Sequence, residues 1–146
     1  VKEDRLDLFK ISDRVFDRYR KLGYEKLNDP EKVFHCIWQL EAEVNNGGFD
    51  QFYFNSEGDE VLDTVKSLEA IGAKHTADLV RQANALFGEA GPSPDRFTTQ
   101  KQLDALRDTK GKKMNELDIE FYKYKDNLEQ LLEAYVSKNG DAFGLK

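Results

Sequence analysis

Apolar residues in this chain recur at three- and four-residue steps almost from end to end, and glycine or a proline–polar cluster stands where each run stops. Such spacing places one apolar stripe on a helix and leaves nothing for a sheet to pair. In the first segment Leu8, Ile11, Val15, Tyr19 and Leu22 form the stripe, Phe9 and Phe16 widen it, and Gly23 stands at its end. Asn28-Asp29-Pro30-Glu31 reads as a helix start: a capping side chain, proline at the first helical position, acid in the first turn. The helix it opens carries Val33, Ile37, Leu40 and Val44 on one face with Phe34 and Trp38 beside them. Asn45-Asn46-Gly47-Gly48 ends it, because these residues tolerate left-handed backbone.

Ser56-Glu57-Gly58-Asp59 leads into a further helical run through Val61, Leu62, Val65, Leu68 and Ile71, closing at Gly72. Thr76 to Phe87 fits another, with His75 in a capping position and Gly88 as the stop. Two prolines in Gly88–Pro94 oppose helix, so that stretch reads as a loop. Thr98 or Thr99 then caps a short helix holding Leu103 and Leu106, and Asp108 to Asn115 is expected to be a loop around Gly111. The last helix is expected from about Leu117 to Val136, with Phe121, Tyr124, Leu128, Leu131, Leu132 and Tyr135 inward and Asn139-Gly140 as its end. No run alternates apolar and polar residues, and no repeat is visible. At 146 residues, the expectation is one all-α domain over 1–146 with about six or seven helices.

Charge narrows the partners. The formal net charge is −6, which disfavours direct binding to nucleic acid or an anionic membrane, since both demand a basic face. No run approaches the roughly 18–20 apolar residues of a membrane span. Val1–Arg5 lacks the layout of a secretory signal, and the single Cys36 cannot close an internal disulfide, so a reducing cytoplasm is the expected setting. Two histidines and one cysteine cannot build an all-Cys/His zinc site, and neither metal nor cofactor is expected. The charge is also uneven. No Lys or Arg occurs from Val33 through Val65, a stretch that holds Glu41, Glu43, Asp50, Glu57, Asp59, Glu60 and Asp63. An exposed region of that kind attracts a basic protein and makes association sensitive to salt.

Catalytic patterns are missing: there is no nucleophile elbow, phosphate-binding glycine loop or His-Glu-x-x-His pair. His35 can share a helix face with Glu31 and Gln39, which reads as a boundary histidine with a neighbouring carboxylate. Cys36 reads as a small buried hydrophobe. The chain is therefore expected not to be an enzyme.

The most specific string is Val44-Asn45-Asn46-Gly47-Gly48-Phe49-Asp50-Gln51-Phe52-Tyr53-Phe54-Asn55. Paired glycines permit a tight change of direction, and Phe49, Phe52 and Tyr53 at helical spacing can fold back on the preceding helix. Asn45, Asn46, Gln51 and Asn55 can satisfy backbone groups that the turn exposes. Asn45, Asn46, Gly47, Gly48, Phe49, Gln51, Phe52 and Asn55 resemble the signature of the DNA mimic protein 19-like family. Ser67 to Ala73, Pro92-Ser93-Pro94 with Asp95-Arg96, and Leu117-Asp118-x-x-Phe121-Tyr122 resemble further parts of it, so the likeness runs from about Phe34 to Val136.

The resemblance implies an all-helical protein without cofactor or enzymatic activity, whose acids imitate DNA phosphates on the binding face of a DNA-binding protein. Three readings follow. The leading one is an acidic binding protein that engages a basic or DNA-binding protein through residues 41–63. A second is an immunity-type antagonist of a basic toxin, which needs the same surface. A third is a small-molecule binder or enzyme that uses the Asn45–Asn55 corner and requires a hollow there.

Overall fold

A computed structural model describes residues 6–145. Helix α1 (Leu8–Leu22) starts at Asp7, whose carboxylate accepts the Phe9 N–H at 3.0 Å, and it ends at Gly23, which takes a φ of 83°. A 3-10 turn (Tyr24–Lys26) leads to α2 (Asp29–Asn55), then α3 (Gly58–Leu62), α4 (Thr64–Ala70) and α5 (Lys74–Ala85). Helix α6 (Arg96–Tyr122), α7 (Leu128–Lys138) and a closing 3-10 turn (Gly140–Phe143) complete the chain. Among the described residues there is no strand, and the architecture is a single all-α domain.

Helix α2 is the spine. It lies against α6, α4 and α1, and its Ile37, Leu40, Val44, Phe49, Phe52 and Tyr53 are all within the core. Its start is tied down in several directions. Asn28 Oδ1 accepts the Glu31 N–H at 2.8 Å while Glu31 Oε1 accepts the Asn28 N–H at 3.0 Å, a reciprocal cap. The other Glu31 oxygen accepts from Arg18 of α1 at 2.5 Å, and Asn28 Nδ2 donates to the Ala142 carbonyl at 2.9 Å. The fully buried Glu31 carboxylate thus has partners on both oxygens, as a buried charge requires.

Several expectations change. The 108–115 stretch is not a loop: α6 runs unbroken through Gly111, because Leu103, Met114, Leu117 and Phe121 bury on one face. That burial outweighs the roughly 1 kcal/mol penalty of a helical glycine. Asp95, not Thr98 or Thr99, caps it, accepting the Thr98 N–H at 3.0 Å. The helix expected over 117–136 is two, since Asp126 is drawn across to α5 and accepts from the Thr76 N–H at 2.8 Å and the Thr76 hydroxyl at 2.9 Å. Asp126 therefore does the capping assigned to His75. Tyr124, in the break, has a φ of 47° and is exposed rather than inward. Phe9 and Phe16 do not widen the buried stripe of α1. They are 73% and 56% exposed, one residue out of phase with Leu8, Ile11 and Val15.

Candidate functional site

The Asn45–Asn55 string forms a corner inside α2. Gly47 (φ −154°, ψ 22°) and Gly48 (φ 73°, ψ −175°) leave the helical region, and the helix resumes in a new direction. Such a break frees a carbonyl before it and an N–H after it. Helix α6 serves both: the Tyr122 hydroxyl donates to the Val44 carbonyl at 2.9 Å, and Asp118 Oδ1 accepts the Phe49 N–H at 2.8 Å. Asp118 and Tyr122 stand four residues apart, one turn above the other on the same helix face. Burial raises the Asp118 carboxyl above its ordinary range, against the opposing effect of the Phe49 N–H, and the nearby Asp50 charge adds to the rise.

The carboxamides do a different task from the one expected of them. They do not serve the backbone of the turn; they link the two halves of α2 through side chains. Glu43 Oε2 accepts from Gln51 Nε2 at 2.8 Å and from Asn55 Nδ2 at 3.0 Å, and Gln51 Oε1 accepts from Asn46 Nδ2 at 3.0 Å. Asn45 Nδ2 donates to the Tyr124 hydroxyl at 2.7 Å. The bend brings residues eight and twelve apart into reach, so side chains meet one another while α6 takes the backbone groups. Phe49, Phe52 and Tyr53 are buried, and the Tyr53 hydroxyl donates to Asn84 Oδ1 at 2.5 Å. The corner is packed where the small-molecule reading requires a hollow.

Asp118→Ala should cost about 1–3 kcal/mol, because it orphans the partly buried Phe49 N–H. Asp118→Asn retains an acceptor and should cost about 1 kcal/mol or less. Urea denaturation of the two variants checks this, and equal losses would mean that charge rather than the hydrogen bond matters at this position.

The seven acids of the base-free run have different surroundings. Asp50 is held by the Arg107 guanidinium through two contacts of 2.8 Å, and Glu43 is occupied by the carboxamides. Glu41 is half-buried, and its carboxyl is raised by burial, against the Tyr124 hydroxyl and with the help of Glu129. Glu60 is only 7% exposed and faces His35 Nε2 at 3.1 Å, so it lies beneath the surface. Asp63 accepts the Tyr24 hydroxyl at 2.7 Å and lies 3.5 Å from Lys66. Glu57 and Asp59 are exposed, Glu57 with Arg96 at 3.4 Å. A run without bases in sequence therefore meets bases in space, because α6 lies along α2 and carries Arg96 and Arg107.

One acid arrives from outside the run. The Asp59 carboxyl raises the pKa of Glu25, on the 3-10 turn, with burial and Asp63 adding and Lys32 opposing. Nothing in the spacing of Glu25 signals this partnership. Asp118 and Tyr122 had a signal in their four-residue separation. Among the described residues no grouping of His, Cys, Asp and Glu has metal-site geometry, and no helix is long and apolar enough to cross a membrane.

No curated protein and no solved structure matches the chain. A family profile described as DMP19-like protein matches residues 25–139, which encloses the corner, the acidic turn of α3 and the face of α6 that serves α2. The chain belongs to the DMP19-like protein family.

Proposed function

We propose that this protein is a non-enzymatic acidic binding protein that occupies the basic face of a DNA-binding protein. The supporting observation is the pair of exposed acids at the start of α3, Glu57 and Asp59, with Asp59 also raising the pKa of Glu25 on the 3-10 turn. Like carboxyls held near one another oppose folding, and a cationic partner relieves that repulsion on binding. The face centres on Glu57 and Asp59 with Glu25 of the 3-10 turn rather than on the whole of residues 41–63, since Glu43, Asp50, Glu60 and Asp63 are already engaged. Its reach is local. Duplex DNA presents about one charge per 1.7 Å of axis, so a few acids imitate a few phosphates and not a length of helix. Membership of the DMP19-like family supports this reading in kind, and the exposure of Glu57 and Asp59 supports its location.

The test begins with capture of a partner from lysate and its purification. Titration at about 50 to 200 mM salt should show affinity falling as salt rises. Asp59→Lys with Glu57→Lys, both at exposed positions, should weaken binding by on the order of tenfold or more. An affinity indifferent to salt and to both reversals would dispose of the reading.

A further inference from the structure

Between α1 and the first half of α2 runs a groove of about 400 Å³, at the lower end of the roughly 300–1,000 Å³ typical of ligand sites. Its walls are aromatic, with Phe16 and Tyr19 from α1 facing Phe34 and Trp38 from α2. Asp13 and Glu43 also line it, and no Lys or Arg is among its lining residues. Phe16 and Tyr19 lie nearly parallel, at 14° with centroids 6.4 Å apart, and Tyr19 stacks on His35 at 4.5 Å. Trp38 stacks on Phe34 at 5.2 Å. Phe16 remains 56% exposed, although a ring of that size is costly to leave in water.

We propose that this groove is a guanidinium site, which takes an arginine side chain presented by a basic protein. Aromatic faces attract cations, most strongly when they are desolvated, and the flat, weakly hydrated guanidinium stacks where an ammonium does not. The Asp13 carboxylate supplies the opposite charge and, being exposed, is free to turn towards a ligand. Glu43, held by the carboxamides of Gln51 and Asn55, adds its charge to the wall. The Phe16 ring already accepts a guanidinium from within the chain: that of Arg20 lies over it, 5.9 Å from its centroid. The groove also borders the acidic run, since His35 in its lining faces Glu60 at 3.1 Å. The biological setting rests on the proposed binding of a basic protein. The site itself does not, and it is tested separately.

Trp38 is the only tryptophan and lines the groove, so its fluorescence reports occupancy directly. The full chain is titrated with acetyl-Gly-Arg-Gly-amide, with the lysine analogue, and with the citrulline analogue, which keeps the shape and lacks the charge. The arginine peptide should give a saturable change and bind at least about fivefold tighter than the citrulline peptide. Phe16→Ala and Asp13→Asn, at exposed positions that leave the core intact, should each lose about fivefold. Equal binding of arginine and citrulline peptides, or unchanged binding in both variants, overturns the site. A lysine peptide as tight as the arginine one overturns the guanidinium assignment.

Asp59→Lys separates this proposal from the acidic face. It should leave the arginine peptide within about twofold while it weakens the whole partner. If the partner is lost and no peptide moves Trp38, the face stands and the groove falls. If the peptide binds and the partner is unaffected by Asp59→Lys, the groove stands and the face falls.

Discussion

Gly48→Ala should destabilise the protein by roughly 3–5 kcal/mol, read as a shift of the urea midpoint at unchanged slope. Two costs coincide at this position. The backbone at φ 73° and ψ −175° lies outside the regions that a residue with a Cβ adopts readily. A Cβ there would also stand 2.9 Å from the Asp118 carboxyl carbon and 3.0 Å from Oδ1. Retreat of Asp118 relieves the clash only by releasing the Phe49 N–H. The two positions are therefore coupled: Gly48→Ala combined with Asp118→Ala should cost less than the sum of the separate losses. A Gly48→Ala loss under about 1 kcal/mol would show that the corner relaxes without α6. Gly47 makes a useful contrast, because its added Cβ meets mainly the side chain of Gln51, which can move.

The aromatic run beyond the corner should respond unequally to truncation. Phe49→Ala and Phe52→Ala each remove a ring that is almost wholly buried and should cost about 3–5 kcal/mol. Phe54, two residues on and 41% exposed, should cost about 1 kcal/mol or less on the same change. Thermal or urea melts of the three variants check the order. Phe49 packs edge-on to Phe121 at 5.9 Å, and Phe52 lies edge-on to Tyr53 at 5.1 Å, so neither cavity can close without moving another ring. Similar losses at all three positions would mean that the second half of α2 is not oriented as described.

Much of the fold was legible because helix periodicity and stop residues agree through most of the first ninety residues. The exception is the single run expected through Val61 to Ile71, which is divided into α3 and α4 at Asp63. Gly23, the Asn28–Glu31 cap and the Gly47-Gly48 break all do what their chemistry suggests. Reading failed where a distant side chain decides the outcome. Asp126 opens the chain between α6 and α7 to reach Thr76, and local spacing carries no trace of that bond. Gly111 suggests a stop, yet the packing of α6 on α2 carries the helix through it. The candidate site follows the same division. The corner was visible in the string Asn45–Asn55, whereas its partners on α6 and the pairing of Glu25 with Asp59 depend on tertiary placement. Charge counted along the chain placed seven acids together, and folding then distributed them among Arg107, His35, Tyr24 and the carboxamides.

The bend in α2 also has a consequence for the order in which the protein assembles. The groups that satisfy its freed backbone lie on α6, and the Phe49–Asp118 bond spans 69 residues of chain. Until that long loop closes, the freed N–H and carbonyl have only water as partner, and closure over such a separation is slow compared with the growth of a helix. The two arms of α2 can therefore form early, with the angle between them settled only when α6 docks. The most recognisable stretch of the sequence is in this sense among the last to reach its final geometry. Perturbations at Gly48 should accordingly appear in the rate of unfolding far more than in the rate of folding.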